Sequence, residues 1–192
     1  MELTEKKSGF RWGVFIFGGI VGIIGLSIFL GELHYSASEK FCISCHEMEA
    51  NVYMEYKETI HYANKSGVRA TCSDCHLSNN LLQKVGRKVK AANELLQHFK
   101  GTIDTREKFQ DHRLELAMSV WAEMKANDSR ECRSCHSAES MDYTKQSHRA
   151  MTAHLKGEDD NKTCIDCHKG IAHRLPNMKS IDPSAVIGTS NE

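Results

Sequence analysis

The sequence predicts a mainly α fold, a single N-terminal transmembrane helix joined to a compact domain of helices and loops. Three observations predict it. An uncharged apolar run lies near the start, apolar residues recur at helical spacing in the middle, and four copies of Cys-x-x-Cys-His account for every cysteine. Strand patterns are scarce.

The apolar run is Trp12 to Leu30, WGVFIFGGIVGIIGLSIFL. As a helix it extends about 28 Å, close to the ~30 Å hydrocarbon core of a bilayer. Residues 12–33 are therefore read as a membrane anchor. Lys6, Lys7 and Arg11 precede it. By the positive-inside bias, residues 1–11 are cytoplasmic and the rest lies in the bacterial periplasm. The predicted place is the inner membrane, crossed once. A cleaved signal peptide is the rival reading. The run is longer than the usual apolar region of such a peptide, and only Ser36-Ala37-Ser38 offers a weak cleavage site. Gly18 and Gly22 form a Gly-x-x-x-Gly pattern that can pack helix on helix, so a homo-oligomer is open.

The motifs are Cys42-Ile43-Ser44-Cys45-His46, Cys72-Ser73-Asp74-Cys75-His76, Cys132-Arg133-Ser134-Cys135-His136 and Cys164-Ile165-Asp166-Cys167-His168. Cys-x-x-Cys-His attaches c-type haem. The two thiols form thioethers with the vinyl groups, and the histidine is placed to ligate iron. Paired Cys-x-x-Cys also holds zinc, and a lone one serves thiol redox chemistry. Zinc does not require a histidine after the second cysteine each time, and a thioredoxin-like site occurs once, near a βαβ pattern. Disulfides within such tight pairs are poor staples. The reading is four covalently bound haems, with His46, His76, His136 and His168 as their own-motif ligands.

Composition agrees. Lys plus Arg (25) balance Asp plus Glu (25), so bulk charge gives no argument for nucleic acid. Aromatic content is 7% and mean hydropathy is −0.47 despite the apolar run. The remainder is too polar to bury an ordinary core, and four apolar macrocycles would supply the missing surface. Eleven histidines are present. Four sit in the motifs, and the others are candidates for the opposite haem faces.

The motifs fall into two pairs, predicting two di-haem halves in a domain over residues 34–178. The second member of each pair looks alike, Thr71-Cys-Ser-Asp-Cys-His76 against Thr163-Cys-Ile-Asp-Cys-His168. Between the pairs, Leu82, Val85, Val89, Ala92, Leu96 and Phe99 repeat at helical spacing, with Gly101 as the stop. Asp104 and Glu107 resemble a capping box. It opens a second helix with Leu114, Met118, Trp121 and Met124 on one face, ended by Asn127-Asp128-Ser129. That stripe is expected to pack on haem or on the other helix. Lys84, Arg87, Lys88 and Lys90 line the earlier helix. Their face is either solvated or set against the anionic lipid bilayer. Residues 179–192 read as a loose tail.

Longer stretches carry a resemblance. They are Phe41-Cys-Ile-Ser-Cys-His-Glu-Met48, Asn51-Val52-Tyr53 through Glu55-Tyr56 to Ile60-His61-Tyr62, Ser66-Gly-Val-Arg-Ala-Thr-Cys72, Ile103-Asp104-Thr105, Glu131-Cys132-Arg133 and Thr163 through His173. With the anchor and the four motifs, they make the chain resemble the NapC/NirT family of membrane-anchored tetrahaem cytochromes c, nearest the branch that serves periplasmic nitrate reductase. The likeness runs from the anchor to about Met178. It implies a quinol dehydrogenase that takes electrons from menaquinol or ubiquinol and passes them to a soluble periplasmic reductase.

A residue close to a motif histidine cannot easily reach round the ring, so His173, near His168, is read as serving another haem. The resemblance implies that His76 pairs with His173, His136 with His61, and His168 with His154. His34, His98, His112 and His148 are read as structural or surface residues, with His112 the first exception to consider. The resemblance also allows Met48 to replace His46 as ligand of the first haem; a plain apolar contact is the alternative. No obvious histidine remains for that haem's other face, which suits quinol contact. By the same resemblance Glu94 is the candidate proton acceptor near the first haem, and Arg87 could orient a quinol oxygen. Asn93 stands where similar proteins often have lysine. Two other classes stay open. One is a passive electron-transfer anchor for another reductase, such as nitrite reductase, without its own quinol site. The other is a terminal reductase acting on a small oxyanion. No molybdenum, flavin or iron–sulfur motif is present, so nitrate chemistry itself is expected in a partner.

Overall fold

The computed structural model describes residues 8–180, and helices and turns without strands make up those residues. The expected cytoplasmic residues 1–7 and most of the expected tail, 181–192, lie outside the described residues.

The first helix, Ser8–Tyr35, contains the whole apolar run. From Trp12 to Tyr35 it is long and apolar enough to cross a membrane, and none of that stretch is buried in the protein. A helix apolar all round with no protein against it needs a lipid environment. Nothing lies within 4 Å of the Cβ positions of Gly18 and Gly22, so a second helix could approach there.

Two long helices form the scaffold of the remaining domain. The basic helix, Leu81–Phe99, starts where the Asn80 side chain accepts from the Leu82 and Gln83 amides at 3.1 and 3.2 Å. It stops at Gly101, whose φ of +68° is a left-handed conformation that glycine takes without steric cost. The long helix, Arg106–Ala126, is capped by Thr105, whose hydroxyl accepts from the Lys108 amide at 3.3 Å. The expected cap at Asp104 is thus corrected by one residue. The Asp104 carboxylate instead takes the Lys108 ammonium at 2.7 Å, and that ammonium also reaches the Gly101 carbonyl at 2.8 Å. The side chain is spent on tying the end of one helix to the start of the next. A shorter helix, His148–Asp159, follows, capped by Ser147.

The apolar core is small. Tyr56, Phe109 and Ile165 are the buried apolar side chains among the described residues, beside buried Glu47, Asn51, Ser78, Arg113 and Ser129. The polypeptide alone lacks the apolar burial that normally offsets chain entropy.

The anchor generates the first prediction. The protein should stay in membranes through high-salt and carbonate washing, with the apolar segment intact by N-terminal sequencing. A soluble product beginning near Ala37 or Ser38 would mark a signal peptide.

Candidate functional site

Each motif begins in a short helical turn. Ser38 caps Glu39–Cys42 by accepting from the Phe41 amide at 3.2 Å. In the second motif, Cys72–His76, the Thr71 amide and hydroxyl both donate to the Asp74 carboxylate at 2.7 Å. In the fourth, Cys164–Cys167, Thr163 does the same with Asp166 at 2.9 and 3.0 Å. The likeness of these two motifs in sequence is therefore a shared capping box, which sets the turn that presents both thiols on one side. The third motif follows Ser129, which is wholly buried with a left-handed φ of +50°. Its hydroxyl accepts from the Ile165 amide at 3.1 Å and joins the third motif to the fourth.

The motifs touch in sequence order. The turn that opens the first motif packs against the helix of the second, and that helix against the turn of the third. The Ser129–Ile165 bond carries the row on from the third motif to the fourth. The two expected halves are thus joined through motifs two and three into one continuous row. No disulfide joins any of the eight cysteines.

Three pairs of histidine rings face each other. The centroids are 6.2 Å apart for His61 and His136, 6.3 Å for His76 and His173, and 5.9 Å for His154 and His168. Two imidazoles bound to one metal ion at about 2 Å each would have ring centres about 6 Å apart. The residues present therefore fit an iron between each pair. Two of the outer nitrogens are oriented to match. His173 Nδ1 donates to the Val52 carbonyl at 3.2 Å, and His154 Nδ1 meets Gln146 Oε1 at 2.7 Å. Such bonds set the tautomer and leave Nε2 as the lone-pair donor. Burial pushes the His76 imidazole down to about 4, with His173 and Arg87 adding to the effect, and burial also lowers His173. Both stay neutral near pH 7, as metal ligands must.

His46 has no facing histidine among the described residues. It is exposed, and Met48 is 40% exposed at the start of a π-helical segment, Met48–Tyr53. Between them Glu47 is buried, and its carboxylate meets His98 Nδ1 of the basic helix at 2.5 Å. The spacing of residues gave no sign of this contact, nor of Ser129. His112 lies on the surface, 3.4 Å from Glu115.

Glu94 is 55% exposed and paired with Arg87 at 2.9 Å. Arg87 is turned inward, 3.7 Å from Glu123, and lines a cavity of about 360 Å³ shared with Cys75 and His76. The structure thus places Arg87 beside the second motif. Lys88, partly buried, bonds the Ser36 carbonyl just after the anchor and lies 5.4 Å from the Phe41 ring. Burial lowers its ammonium below the usual lysine range, against the opposing effect of Cys42. The four basic side chains of this helix therefore do not share one solvated face.

The sequence profile described as NapC/NirT cytochrome c family, N-terminal region, matches residues 5–178. The chain belongs to that family. It accordingly carries covalently bound c-type haem and is an electron-transfer redox protein. It is 56% identical over 164 residues to the denitrification system component NirT of Stutzerimonas stutzeri, covering 85% of this chain and 82% of that one. It is 51% identical over 186 residues to the cytochrome c-type protein NapC of Paracoccus pantotrophus, covering 94% and 77%. A solved structure, the cytochrome c nitrite reductase NrfHA complex bound to the inhibitor HQNO, aligns over 93% of this chain and 99% of that one at a TM-score of 0.45 and 19% identity.

In this NapC/NirT cytochrome the segment carrying His173 is held by a buried ion pair. Arg113 donates to both oxygens of Glu55 at 2.8 and 2.5 Å and also to the Arg174 carbonyl, while the Arg174 amide donates to Glu55 at 2.9 Å. Burial alone would raise the Glu55 carboxyl, but the hydrogen bonds from Arg113 and Arg174 hold it below its usual value. A depressed carboxylate stabilises the fold above its unfolded pKa of about 4, and this contribution fades as pH falls through the lower folded value.

This strut gives the second prediction. Arg113→Met leaves the partly buried Glu55 carboxylate with the Arg174 amide but without its cation, which should cost about 1.5–3 kcal/mol. In magnetic circular dichroism it should convert one low-spin haem to high spin, as His173→Ala should. An unchanged low-spin count would separate the strut from His173.

Proposed function

We propose that this chain oxidises membrane quinol and passes the electrons to a periplasmic reductase, with nitrate reductase the first partner to test. The observation that carries the reading is the row of Cys-x-x-Cys-His motifs in sequence order, beginning seven residues after the anchor helix ends. The domain boundaries read from sequence, four haems, a cytoplasmic N-terminus and an inner-membrane location belong to the same proposal. The Gly18–Gly22 face keeps a homo-oligomer within it.

Haem supplies one-electron acceptance, so several in a row can take both electrons of a quinol. The residues supply the rest. His76 with His173, His136 with His61, and His168 with His154 would hold three irons from both sides, and His46 or Met48 the first. Two imidazoles exclude substrate from an iron, which favours electron transfer at those three sites. The first site, without a facing histidine, is where quinol would make contact. Glu94 is the proposed proton acceptor there, since a carboxylate with open solvent access can pass a proton onward. Arg87 keeps the Glu94 side chain in place in the resting structure and would turn to a quinol oxygen when quinol binds.

The relative named as a denitrification system component favours a second partner, a reductase of another nitrogen oxide such as nitrite. In that reading the chain is a passive anchor, and quinol chemistry lies elsewhere.

Two outcomes are expected. Intact mass should show four covalent haems that survive denaturation and acid-acetone extraction; fewer, or zinc in their place, would defeat the assignment. Stopped-flow reduction by a menaquinol analogue should succeed with the isolated wild-type protein. Glu94→Gln should slow it by roughly 10²-fold, with haem content and dithionite reduction unchanged. Equal rates remove Glu94 from the mechanism. A wild type that favourable quinols cannot reduce removes quinol oxidation itself.

A further inference from the structure

The basic helix carries an apolar stripe that the rest of the protein leaves uncovered. Leu82 is 81% exposed, Val89 69%, Leu96 47% and Phe99 76%. These residues follow one another at spacings of seven, seven and three, so they lie along one face over about 26 Å.

The other faces of this helix are committed. Gly86, Arg87 and Lys90 line the cavity beside Cys75 and His76. Lys88 and His98 reach the first motif region through Ser36 and Glu47. The stripe is therefore turned away from both neighbouring haem sites, and haem does not account for it.

The anchor indicates what covers it. Leu81 and Lys84, at the start of the basic helix, share a small cavity with Leu30, Leu33 and His34 at the end of the membrane span. The helix thus begins at the level where the anchor leaves the hydrocarbon. Lys88 lies about 100° round the helix from Val89, on the flank between the stripe and the protein, where amphipathic helices at a bilayer surface place their cations. A face of this length, apolar and continuous with a lipid-exposed helix, matches the acyl boundary better than a soluble partner.

We propose that the Leu82–Val89–Leu96–Phe99 stripe lies in the bilayer interface as a second membrane contact. It would hold the first motif against the leaflet surface from which the anchor emerges. This inference does not depend on quinol being the donor.

The test uses the full haem-loaded chain in vesicles of phosphatidylethanolamine and phosphatidylglycerol. A photoreactive benzoyl-phenylalanine replaces Val89 or Phe99, and, as a control off the stripe, Lys90, about 100° round the helix from Val89 and opposite Phe99. All three positions are exposed, and haem content and spectra are checked against wild type for each. After illumination, mass spectrometry identifies what is joined to the labelled peptide. Phospholipid adducts at 89 and 99, at least tenfold above those at 90, are the expected result. Adducts to a second copy of the chain, or lipid yields at 89 and 99 no greater than at 90, would overturn the proposal. Loss of the difference when the same variants are held in detergent would confirm that the bilayer is the partner.

Discussion

Distant segments of this chain must meet at paired histidines, and the rest of the fold is arranged around that constraint. His61 meets His136, His76 meets His173, and His154 meets His168, each at close to 6 Å between ring centres. Two of the pairs, His61 with His136 and His76 with His173, join residues 75 and 97 positions apart. Bringing such segments together costs loop-closure entropy, which apolar burial offsets in most domains. Here Tyr56, Phe109 and Ile165 are the buried apolar side chains among the described residues. Metal bonds between the paired rings would take over that role, so the cofactor would act as core and cross-link together.

Polar struts keep the pairs in register. Arg113 and Glu55 fix the backbone at Arg174, one residue beyond His173. Ser129 joins the third and fourth motifs, and Lys125 reaches Asp166 of the fourth at 2.9 Å. Glu47 and His98 lock the first motif to the basic helix. These contacts are directional, unlike apolar packing, and each gives one segment one position. Directional contacts suit a protein whose cofactors must be held at fixed separations, because electron transfer depends on those separations.

The parts legible in the sequence were those with a local signature. An uncharged run of membrane length, four spaced motifs, a 3.6-residue period and a glycine stop each speak through neighbouring residues. The capping boxes at Thr71 and Thr163 were visible as a repeated Thr-Cys-x-Asp, although their physical meaning emerged only with the hydrogen bonds. The cap at Thr105 was misplaced by one residue because Asp104 is equally suited by type; Lys108 decides between them by drawing Asp104 away. Ser129 and Glu47 were missed for another reason. A buried serine in a left-handed conformation and a buried glutamate are defined by partners 36 and 51 residues away. Nothing in the flanking sequence records those partners.

The first motif stands apart from the other three in the same terms. Its neighbours in space come from the membrane end of the molecule: Ser36, Lys88 and His98 surround it, and no remote segment delivers a facing histidine among the described residues. Its position is set by Glu47 from inside and by the basic helix from outside. A site fixed by its surroundings, and not by a second ligand from a distant segment, can leave one face of its iron open without losing its place. On the proposed ligation the other three sites would lack that freedom, because their second ligands would also hold the fold together. In the proposed function, contact with a substrate would thus be least disruptive at the motif nearest the anchor, and pure electron transfer would suit the three that follow. On the proposed reading, the direction of electron flow from membrane to reductase follows from which segments of the chain are needed to close each site.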